Sequence, residues 1–361
     1  MDHAGRMRHL QSVLQDQKLD SLLVTHLPNI HYLCGFTGSA AALLVQESGS
    51  VIFSDGRYRA QARAEVRAAK IVIAQKSPLT AAGEWLATAR KRSNLSIGIE
   101  PESITAGWRG RLASILRGKA RLRHAPPLIE RMRMVKDVQE IARIRRAVEL
   151  GARLFPIACE NIRPGVKEVE VAAAMEYAAR SSGAEGMSFP TIVASGKRSA
   201  VVHGRASETR IARRGFVVCD FGVILAGYCS DRTRTVHVGR PSNQALRFYD
   251  AVLEAQLAAI DAVRPGVTCT HIDAVARGVL RRHKLARFFT HSTGHGLGLE
   301  IHETPRLAAG QSQLLEPGMV VTIEPGAYVA ESGGVRIEDV VAVTSSGCEV
   351  LTPASKELVV I

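Results

Sequence analysis

Residues 216–238 read FVVCDFGVILAGYCSDRTRTVHV, and this stretch predicts a β-hairpin that carries two carboxylates. Asp220 and Asp231 lie on two apolar, β-like runs, and we expect a two-residue turn at 225–226 to join them. That turn would place Asp220 directly opposite Asp231, with both side chains on one face. Two buried like charges are unfavourable unless a cation or a proton neutralises one of them, so the pair indicates a metal site. The alternative is a loosely paired, exposed loop.

A second pair of carboxylates occurs near the end of the sequence. Glu324 ends the apolar run in MVVTIEPGAYV (319–329), and Glu338 ends the run in GVRIEDVVAV (334–343). The Gly- and Ser-rich segment between the two runs can turn, and Pro325 halts the first strand where a site would lie. Taken alone, each glutamate is better explained as an exposed residue at a strand end.

Three histidines lie between these two pairs, in THSTGHGLGLEIHE (290–303): His291, His295 and His302. Glycine permits tight turns and close approach of the backbone to a ligand, which favours a site over three structural histidines. Four carboxylates with an imidazole form a mainly oxygen-donor set, which suits Mn²⁺, Co²⁺ or Fe²⁺ better than an isolated Zn²⁺. Two divalent ions carry four positive charges and so balance four carboxylates.

The rest of the sequence predicts two domains. Apolar runs of strand length alternate with helical patterns over residues 1–125, which indicates an α/β layer structure. One of these helices is expected over 79–92. A stiff HAPP segment follows, so we expect residues 126–361 to form a second, α+β domain, with helices at 242–264 and 270–284.

Composition narrows the class of protein. No run of about eighteen apolar residues occurs and the N-terminus lacks the apolar core of a signal peptide, so we expect a cytoplasmic protein that does not enter a membrane. The formal net charge is +13, but the basic residues are scattered without interleaved aromatics, which favours a solvated surface over nucleic-acid binding. The six cysteines include no CxxC pair and are interpreted as reduced packing residues.

These motifs resemble the pita-bread metallopeptidases: Xaa-Pro aminopeptidase (aminopeptidase P), prolidase and, more distantly, methionine aminopeptidase. The matching motifs are DFGVILAGYCSDRTRT (220–235), GHGLGLEIHE (294–303), TIEPG (322–326) and GVRIED (334–339). The resemblance implies two divalent metal ions per chain, Mn²⁺ or Co²⁺ first and Zn²⁺ or Fe²⁺ as alternatives. The implied ligands are Asp220, Asp231, His295, Glu324 and Glu338. Asp231 and Glu338 would bridge both ions, Asp220 would hold one of them, and His295 with Glu324 would hold the other.

The same resemblance implies residues that act on the substrate. The implied catalytic set is His203, His291, His302, Glu324 and Arg336. His203 lies in SGKRSAVVHG, seventeen positions before Asp220, and the three histidines match the family's substrate and transition-state histidines. Glu324 would carry a proton to the proline nitrogen, and Arg336 would support the ligands from behind. Tyr228 lies within a motif, but the sequence leaves its role open.

The resemblance extends to the N-terminal half. YLCGFTGSAA (32–41) and FSDGRY (53–58) resemble the N-terminal domain of aminopeptidase P and prolidase enzymes, which methionine aminopeptidases generally lack. The implied fold is a creatinase/prolidase-like α/β N-terminal domain plus an α+β pita-bread (creatinase/aminopeptidase) catalytic domain. The expected activity is removal of the N-terminal residue from peptides with proline in second position. Prolidase, which cleaves Xaa-Pro dipeptides, is the close alternative, and a non-catalytic binding protein is the distant one. Family members are commonly dimers, so we expect a homodimer.

Overall fold

The computed structural model describes residues 1–88 and 95–361. These residues form two compact units, Met1–Arg133 and Met134–Ile361. Each unit has its own buried core of aliphatic side chains. None of the helices in the described ranges is long and apolar enough to span a membrane.

The first unit reaches past the HAPP segment to the end of the helix that follows it. The side-chain amide of Asn29 donates a hydrogen bond of 2.7 Å to Glu130, and its oxygen accepts one of 2.7 Å from Arg133. These buried polar contacts tie the helix to the first unit. The structure therefore divides after Arg133. The boundary suggested by the sequence, after residue 125, lies upstream of this point.

The first unit is the α/β layer structure that the alternating pattern predicts. Its helices are α1 His3–Asp16, α2 Leu27–Cys34, α3 Arg59–Glu65, α4 Pro78–Thr88, α5 Ala106–Leu116 and α6 Leu128–Met134, with a 3₁₀ turn at Gly56–Tyr58. Its strands are β1 Ser21–Val24, β2 Ala41–Gln46, β3 Gly49–Asp55, β4 Lys70–Ala74, β5 Leu95–Ile99 and β6 Ala120–His124. They form one sheet in the order β4-β3-β2-β1-β5-β6. The helix expected over 79–92 is present to Thr88, and its last four residues lie outside the described ranges.

The second unit combines five helices with four small sheets. Its helices are α7 Val138–Ala152, α8 Leu154–Asn161, α9 Glu168–Ser181, α10 Asn243–Asp261 and α11 Cys269–Arg282, with 3₁₀ turns at Gly196–Ala200 and Ala286–Phe288. Its first strands are β7 Gly186–Met187, β8 Ile192–Ser195, β9 Gly215–Phe221, β10 Val223–Leu225, β11 Tyr228–Cys229 and β12 Arg232–Val238. The remaining strands are β13 Gly294–Gly296, β14 Glu303–Leu307, β15 Val320–Ile323, β16 Gly326–Val329, β17 Gly333–Arg336, β18 Asp339–Val343 and β19 Cys348–Val350. The helices expected at 242–264 and 270–284 are confirmed.

Helices α10 and α11 support the largest sheet of this unit, which runs β14-β13-β15-β18-β19. The hydroxyl of Ser242 caps α10 and that of Thr268 caps α11, each accepting a backbone N–H of the first turn. One buried cluster joins α10, α11 and the sheet, through residues such as Val252, Ile272 and Val321. Burial of this apolar surface fixes the sheet that carries several of the predicted site residues.

Two interrupted hairpins repeat within the second unit. In the first, β9 and β10 pair with β12 and β11; in the second, β15 and β16 pair with β18 and β17. Each interruption is one or two residues long. Three predicted ligands lie at these interruptions: Asp231, Glu324 and Glu338.

Candidate metal centre

The first hairpin turns one residue later than the sequence suggested. Its turn residues are Ala226 and Gly227, with φ of 50° and 77°. Two consecutive positive φ angles are typical of the type I′ turn, which matches the twist of the strands and favours glycine. In this register Asp220 pairs with Thr233. The expectation that Asp220 directly opposes Asp231 is therefore wrong.

Asp220 and Asp231 nevertheless lie on one face of the hairpin. The shift moves each pairing partner by two residues, and a shift of two keeps every side chain on its own face because the side-chain period of a strand is two. At the interruption, a Cβ on Gly222 would come within 1.9 Å of the carbonyl oxygen of Ser230, so only glycine fits there. Both aspartates line the same cavity.

The second hairpin places Glu324 opposite Glu338. The pairings of β15 with β18 and of β16 with β17 keep one register through the interruption. The backbone amides of the two glutamates donate hydrogen bonds to residues outside the hairpin. That of Glu324 donates to the carbonyl of Thr293 at 2.8 Å, and that of Glu338 donates to the carbonyl of Thr233 at 3.1 Å. These bonds tie the second hairpin both to the histidine segment and to the first hairpin.

His295 presents one ring nitrogen to the carboxylates. Its Nδ1 lies 3.0 Å from the carbonyl oxygen of Gly296, which can only accept, so Nδ1 carries the hydrogen and Nε2 has a lone pair. Nε2 lies 3.5 Å from Oδ2 of Asp231 and 3.6 Å from Oε1 of Glu324. Burial lowers the pKa of His295 to about 4, so the ring is neutral at pH 7. A neutral imidazole held through Nδ1 is the form that binds metals.

The structure brings all five predicted ligands together. Asp231, His295 and Glu338 are buried and offer ligand atoms within 4.8 Å of one another. Asp220 and Glu324 line the same cavity, which has a volume of about 650 Å³. Side chains more than a hundred residues apart in the sequence thus converge on one space, while their role as ligands stays a prediction.

The electrostatics of the cluster fit a pair of cations. Burial raises the pKa of Asp231, and the negative charges of Glu338 and Asp220 raise it further. Burial also raises the pKa of Glu338, and the negative charge of Glu324 adds to that effect. Burial raises the pKa of Glu324 to about 8. One buried oxygen of Asp220 and one of Glu338 have no hydrogen-bond partner among the described residues. Buried acceptors without donors are unfavourable, and hard divalent cations satisfy such oxygens.

Arg336 supports the carboxylates from behind and is 2% exposed. Its Nη2 donates to Oδ2 of Asp220 at 2.6 Å, and its Nε donates to the hydroxyl of Thr233 at 2.9 Å. That hydroxyl donates in turn to Oε2 of Glu338 at 2.8 Å. Nη1 donates to the hydroxyl of Tyr328 at 2.8 Å. One buried cation therefore orients carboxylates from both hairpins.

The three other predicted site histidines also line the cavity: His203, His291 and His302. Nε2 of His291 lies 2.8 Å from the hydroxyl of Tyr328, and burial lowers the pKa of His291 to about 3. The ring of His302 lies 4.4 Å, centroid to centroid, from that of His295, and burial lowers its pKa as well. Both rings are therefore neutral at pH 7. The Nδ1 of His291 lies 2.8 Å from the carbonyl oxygen of Ser292 and carries the hydrogen, so its Nε2 accepts from Tyr328. The neutral ring of His302 has one N–H to donate.

Sequence reasoning missed Thr233, Tyr328 and Arg306. Thr233 lies two residues after Asp231, and this spacing on a strand could have indicated a shared face. Arg306 pairs with His295 across β13 and β14 and lines the cavity. Within the described residues no side chain pairs with its guanidinium. Part of the cavity wall is apolar, from Phe189, Pro190, Ile192, Val202 and Ile301.

Tyr228, whose role the sequence left open, is a buried residue of β11 in the first hairpin. Its hydroxyl donates to Oε1 of Glu140 at 2.9 Å, and Glu140 also closes the capping box that starts α7. Tyr228 does not line the cavity of the carboxylates. It joins the hairpin to the helix that packs against it.

Comparison with known proteins agrees with this fold and this donor set. Residues 142–345 match metallopeptidase family M24, and residues 6–135 match the creatinase/prolidase N-terminal domain. An Xaa-Pro dipeptidase structure from Bacillus anthracis is 36% identical, with a TM-score of 0.94 over 100% of both chains. An X-Pro aminopeptidase structure from Thermotoga maritima is 34% identical, with a TM-score of 0.89 over 99% of this chain and 100% of that one. A curated Xaa-Pro dipeptidase of Pyrococcus horikoshii is 34% identical over 359 residues, 98% of each chain.

The fold is thus the two-domain pita-bread architecture that the sequence motifs imply, and the class of protein is a metallopeptidase. This chain belongs to metallopeptidase family M24 and carries a creatinase/prolidase N-terminal domain.

Proposed function

We propose that this chain hydrolyses the peptide bond that precedes proline, using two divalent metal ions. The proposed ligands are Asp220, Asp231, His295, Glu324 and Glu338, with Asp231 and Glu338 bridging. The observation that carries the proposal is the convergence of these five donors in one cavity, in a chain whose relatives are named Xaa-Pro peptidases. Mn²⁺ or Co²⁺ is the proposed metal, because the donor set is rich in carboxylates.

When bound, the two ions would activate a water molecule and polarise the substrate carbonyl. Glu324 is the proposed proton carrier, since its side chain lines the cavity and is 16% exposed, against 12% for that of Asp220 and 6% for that of Asp231. The proton passes to the proline nitrogen, which must be protonated to leave. The neutral ring of His302 donates an N–H to the oxyanion, and His203 is the second candidate for that role.

The cavity is suited to an amide that lacks an N–H. A proline nitrogen cannot donate a hydrogen bond, so recognition by extended backbone pairing fails at this bond. The apolar wall offers Phe189, Val202 and Ile301 as surfaces for a pyrrolidine ring. Selectivity for proline would then depend on burial of the ring rather than on hydrogen bonds.

A dipeptide substrate is favoured by the position of Arg306. Its pairing with His295 across two antiparallel strands places both side chains on the same face of the sheet. The carboxylate of a dipeptide lies one residue beyond the scissile bond, roughly 3.5 Å along the chain. We therefore propose that Arg306 pairs with this carboxylate, which makes prolidase activity the favoured form.

Xaa-Pro aminopeptidase activity, the form that the sequence motifs first suggested, is the second candidate. The observation in its favour is the relative from Thermotoga maritima, which is named an X-Pro aminopeptidase. Product analysis with Xaa-Pro dipeptides and matched Xaa-Pro-Yaa tripeptides, in Mn²⁺ and in Co²⁺, separates the two forms. Cleavage of neither substrate by the metal-loaded protein would refute the proposed function.

A further inference from the structure

Glu168, the first residue of α9, has a fully buried side chain and does not line the cavity of the metal centre. Its Oε1 accepts hydrogen bonds from the amide and the hydroxyl of Ser195, both at 2.8 Å. Its Oε2 accepts from the amide and the hydroxyl of Ser207, at 3.2 and 2.7 Å, and from the guanidinium of Arg198. One carboxyl group thus holds the two ends of a single segment, residues 195–207.

This segment, the His203 loop, brings His203 into the cavity. On the side facing the metal centre, the carbonyl oxygen of Val202 accepts a hydrogen bond of 3.1 Å from Arg336. The neighbouring Val201 is 54% exposed, so little apolar burial holds the centre of the loop. A loop with few buried contacts keeps one conformation only where specific polar bonds fix it. Those bonds come from Glu168 at the ends, from Arg336 beside His203, and from the amide of Gly334, which donates to the buried hydroxyl of Ser199 at 2.8 Å.

We infer that Glu168 is a positioning residue that fixes the His203 loop and thereby places His203 against the substrate. The inference rests on the proposed function for the part that concerns His203 and the substrate. A buried carboxyl group whose five donors all lie in this loop stabilises the placement of the loop. Misplacement of a substrate-contacting side chain by about 1 Å is enough to lower a rate on the order of a hundredfold.

The first test does not depend on activity. Glu168→Gln keeps the size of the side chain but replaces one acceptor oxygen with an NH₂ group, so donors at that oxygen lose their partner. Hydrogen–deuterium exchange of the purified protein should then be faster over residues 195–207 than in the wild type. Glu176→Gln, on an exposed position of the same helix, is the matched control and should leave this exchange unchanged. Unchanged exchange in Glu168→Gln would overturn the inference whatever the enzyme cleaves.

The second test is a double-mutant cycle with His203→Ala, measured as kcat/KM on an Xaa-Pro dipeptide with metal content checked in each preparation. We expect Glu168→Gln to lower kcat/KM roughly tenfold to a hundredfold in the wild type and less than about twofold in His203→Ala. An equal loss in both backgrounds would mean that Glu168 acts through the fold as a whole, which contradicts the inference. A wild type that cleaves no Xaa-Pro substrate would refute the proposed function, and the exchange experiment would then decide on the loop.

If Glu168→Gln does not fold, Ser207→Ala removes a hydroxyl donor from the other side of the same contact. The expected result is faster exchange over the His203 loop and the same dependence on His203 in the kinetic cycle, with smaller amplitude. Exchange and kinetics that match the wild type in this folded variant would overturn the inference.

Discussion

The Nη2 of Arg336 lies 2.6 Å from Oδ2 of Asp220, and the same guanidinium reaches Glu338 through the hydroxyl of Thr233. This buried cation is therefore paired directly with one proposed ligand, Asp220, and reaches a second, Glu338, only through a hydroxyl. Burial and the neighbouring carboxylates raise the pKa of Asp231, as they raise that of Glu338. The donors are thus unequal before any metal binds, and this inequality leads to distinct predictions for each of them.

Removal of metal should abolish activity. After exhaustive chelation we expect no cleavage of Xaa-Pro substrates, and recovery on addition of Mn²⁺ or Co²⁺, because the five donors are proposed to hold the ions that activate water. Metal content by mass spectrometry and initial rates measured on the same samples check this. Full activity in a sample without detectable metal would contradict it.

Substitution of a proposed bridging ligand should lower the number of bound metal ions more than substitution of a proposed terminal ligand. We expect Asp231→Ala and Glu338→Ala to lose both ions, since each is proposed to bind both, and Asp220→Ala to lose one. Calorimetric titration with Mn²⁺ gives the stoichiometry of each variant. Loss of a single ion in all three variants would show the bridging assignment to be wrong.

His302→Ala should keep both ions and lose rate. Removal of one oxyanion donor lowers kcat on the order of a hundredfold or more, and kcat/KM falls with it. His271→Ala, an exposed position on α11, is the control. If His302 merely packs, the variant would melt at a lower temperature and yet retain the wild-type kcat, so Tm, metal content and kinetics are measured on one preparation.

Arg306→Ala should discriminate between dipeptides and longer substrates. Loss of a charged hydrogen bond of about 1.5–3 kcal/mol corresponds to a roughly tenfold to hundredfold higher KM for an Xaa-Pro dipeptide. A tripeptide, whose carboxylate lies one residue further on, should be affected less. Arg306→Lys is the matched control, because it keeps the charge without the bidentate geometry. An equal effect on both substrates would argue against a carboxylate contact.

The stability of the metal-free protein should fall with rising pH. The pKa of Glu324 is raised to about 8 by burial, and the unfolded chain has a glutamate pKa of ~4.3. The folded state therefore holds a proton that the unfolded state releases, so stability is full below the unfolded value and is lost as pH rises toward 8. Metal should raise Tm most at the upper end of this range. Below about pH 6.5 the buried His291 and His295, whose pKa values burial lowers to about 3 and about 4, act in the opposite direction, because they gain protons on unfolding. Melting curves from pH 7 to 8, with and without Mn²⁺, therefore measure the slope, and a metal-free Tm that rises across this range would refute it.

Much of the fold and of the candidate site could be predicted from the sequence, because each site residue lies in a motif with a strong local pattern. Asp220 and Asp231 lie on either side of a hairpin turn, and the apolar runs before Glu324 and Glu338 define strands. The register of the first hairpin could not be predicted, because Ala226 adopts a positive φ that local chemistry assigns to glycine.

Contacts between distant segments could not be predicted from the sequence either. Thr233 and Arg336 are 103 positions apart, and Glu168 reaches across 39 positions to Ser207. No local period encodes such bonds, since they depend on how the strands assemble. The cytoplasmic location, the homodimer and the lack of nucleic-acid binding stay predictions from composition and resemblance.

The turn at Ala226 and Gly227 is the part of this hairpin at which the chain can change in length. A residue added there is taken up by a longer loop, because hairpin loops of three to five residues are common and β9 stays paired with β8 and β12. A one-residue slip of the strand pairing would instead move the side chains of a whole strand to the opposite face and withdraw Asp220 or Asp231 from the cavity. We therefore expect natural length variation in this hairpin at its turn and not within its strands.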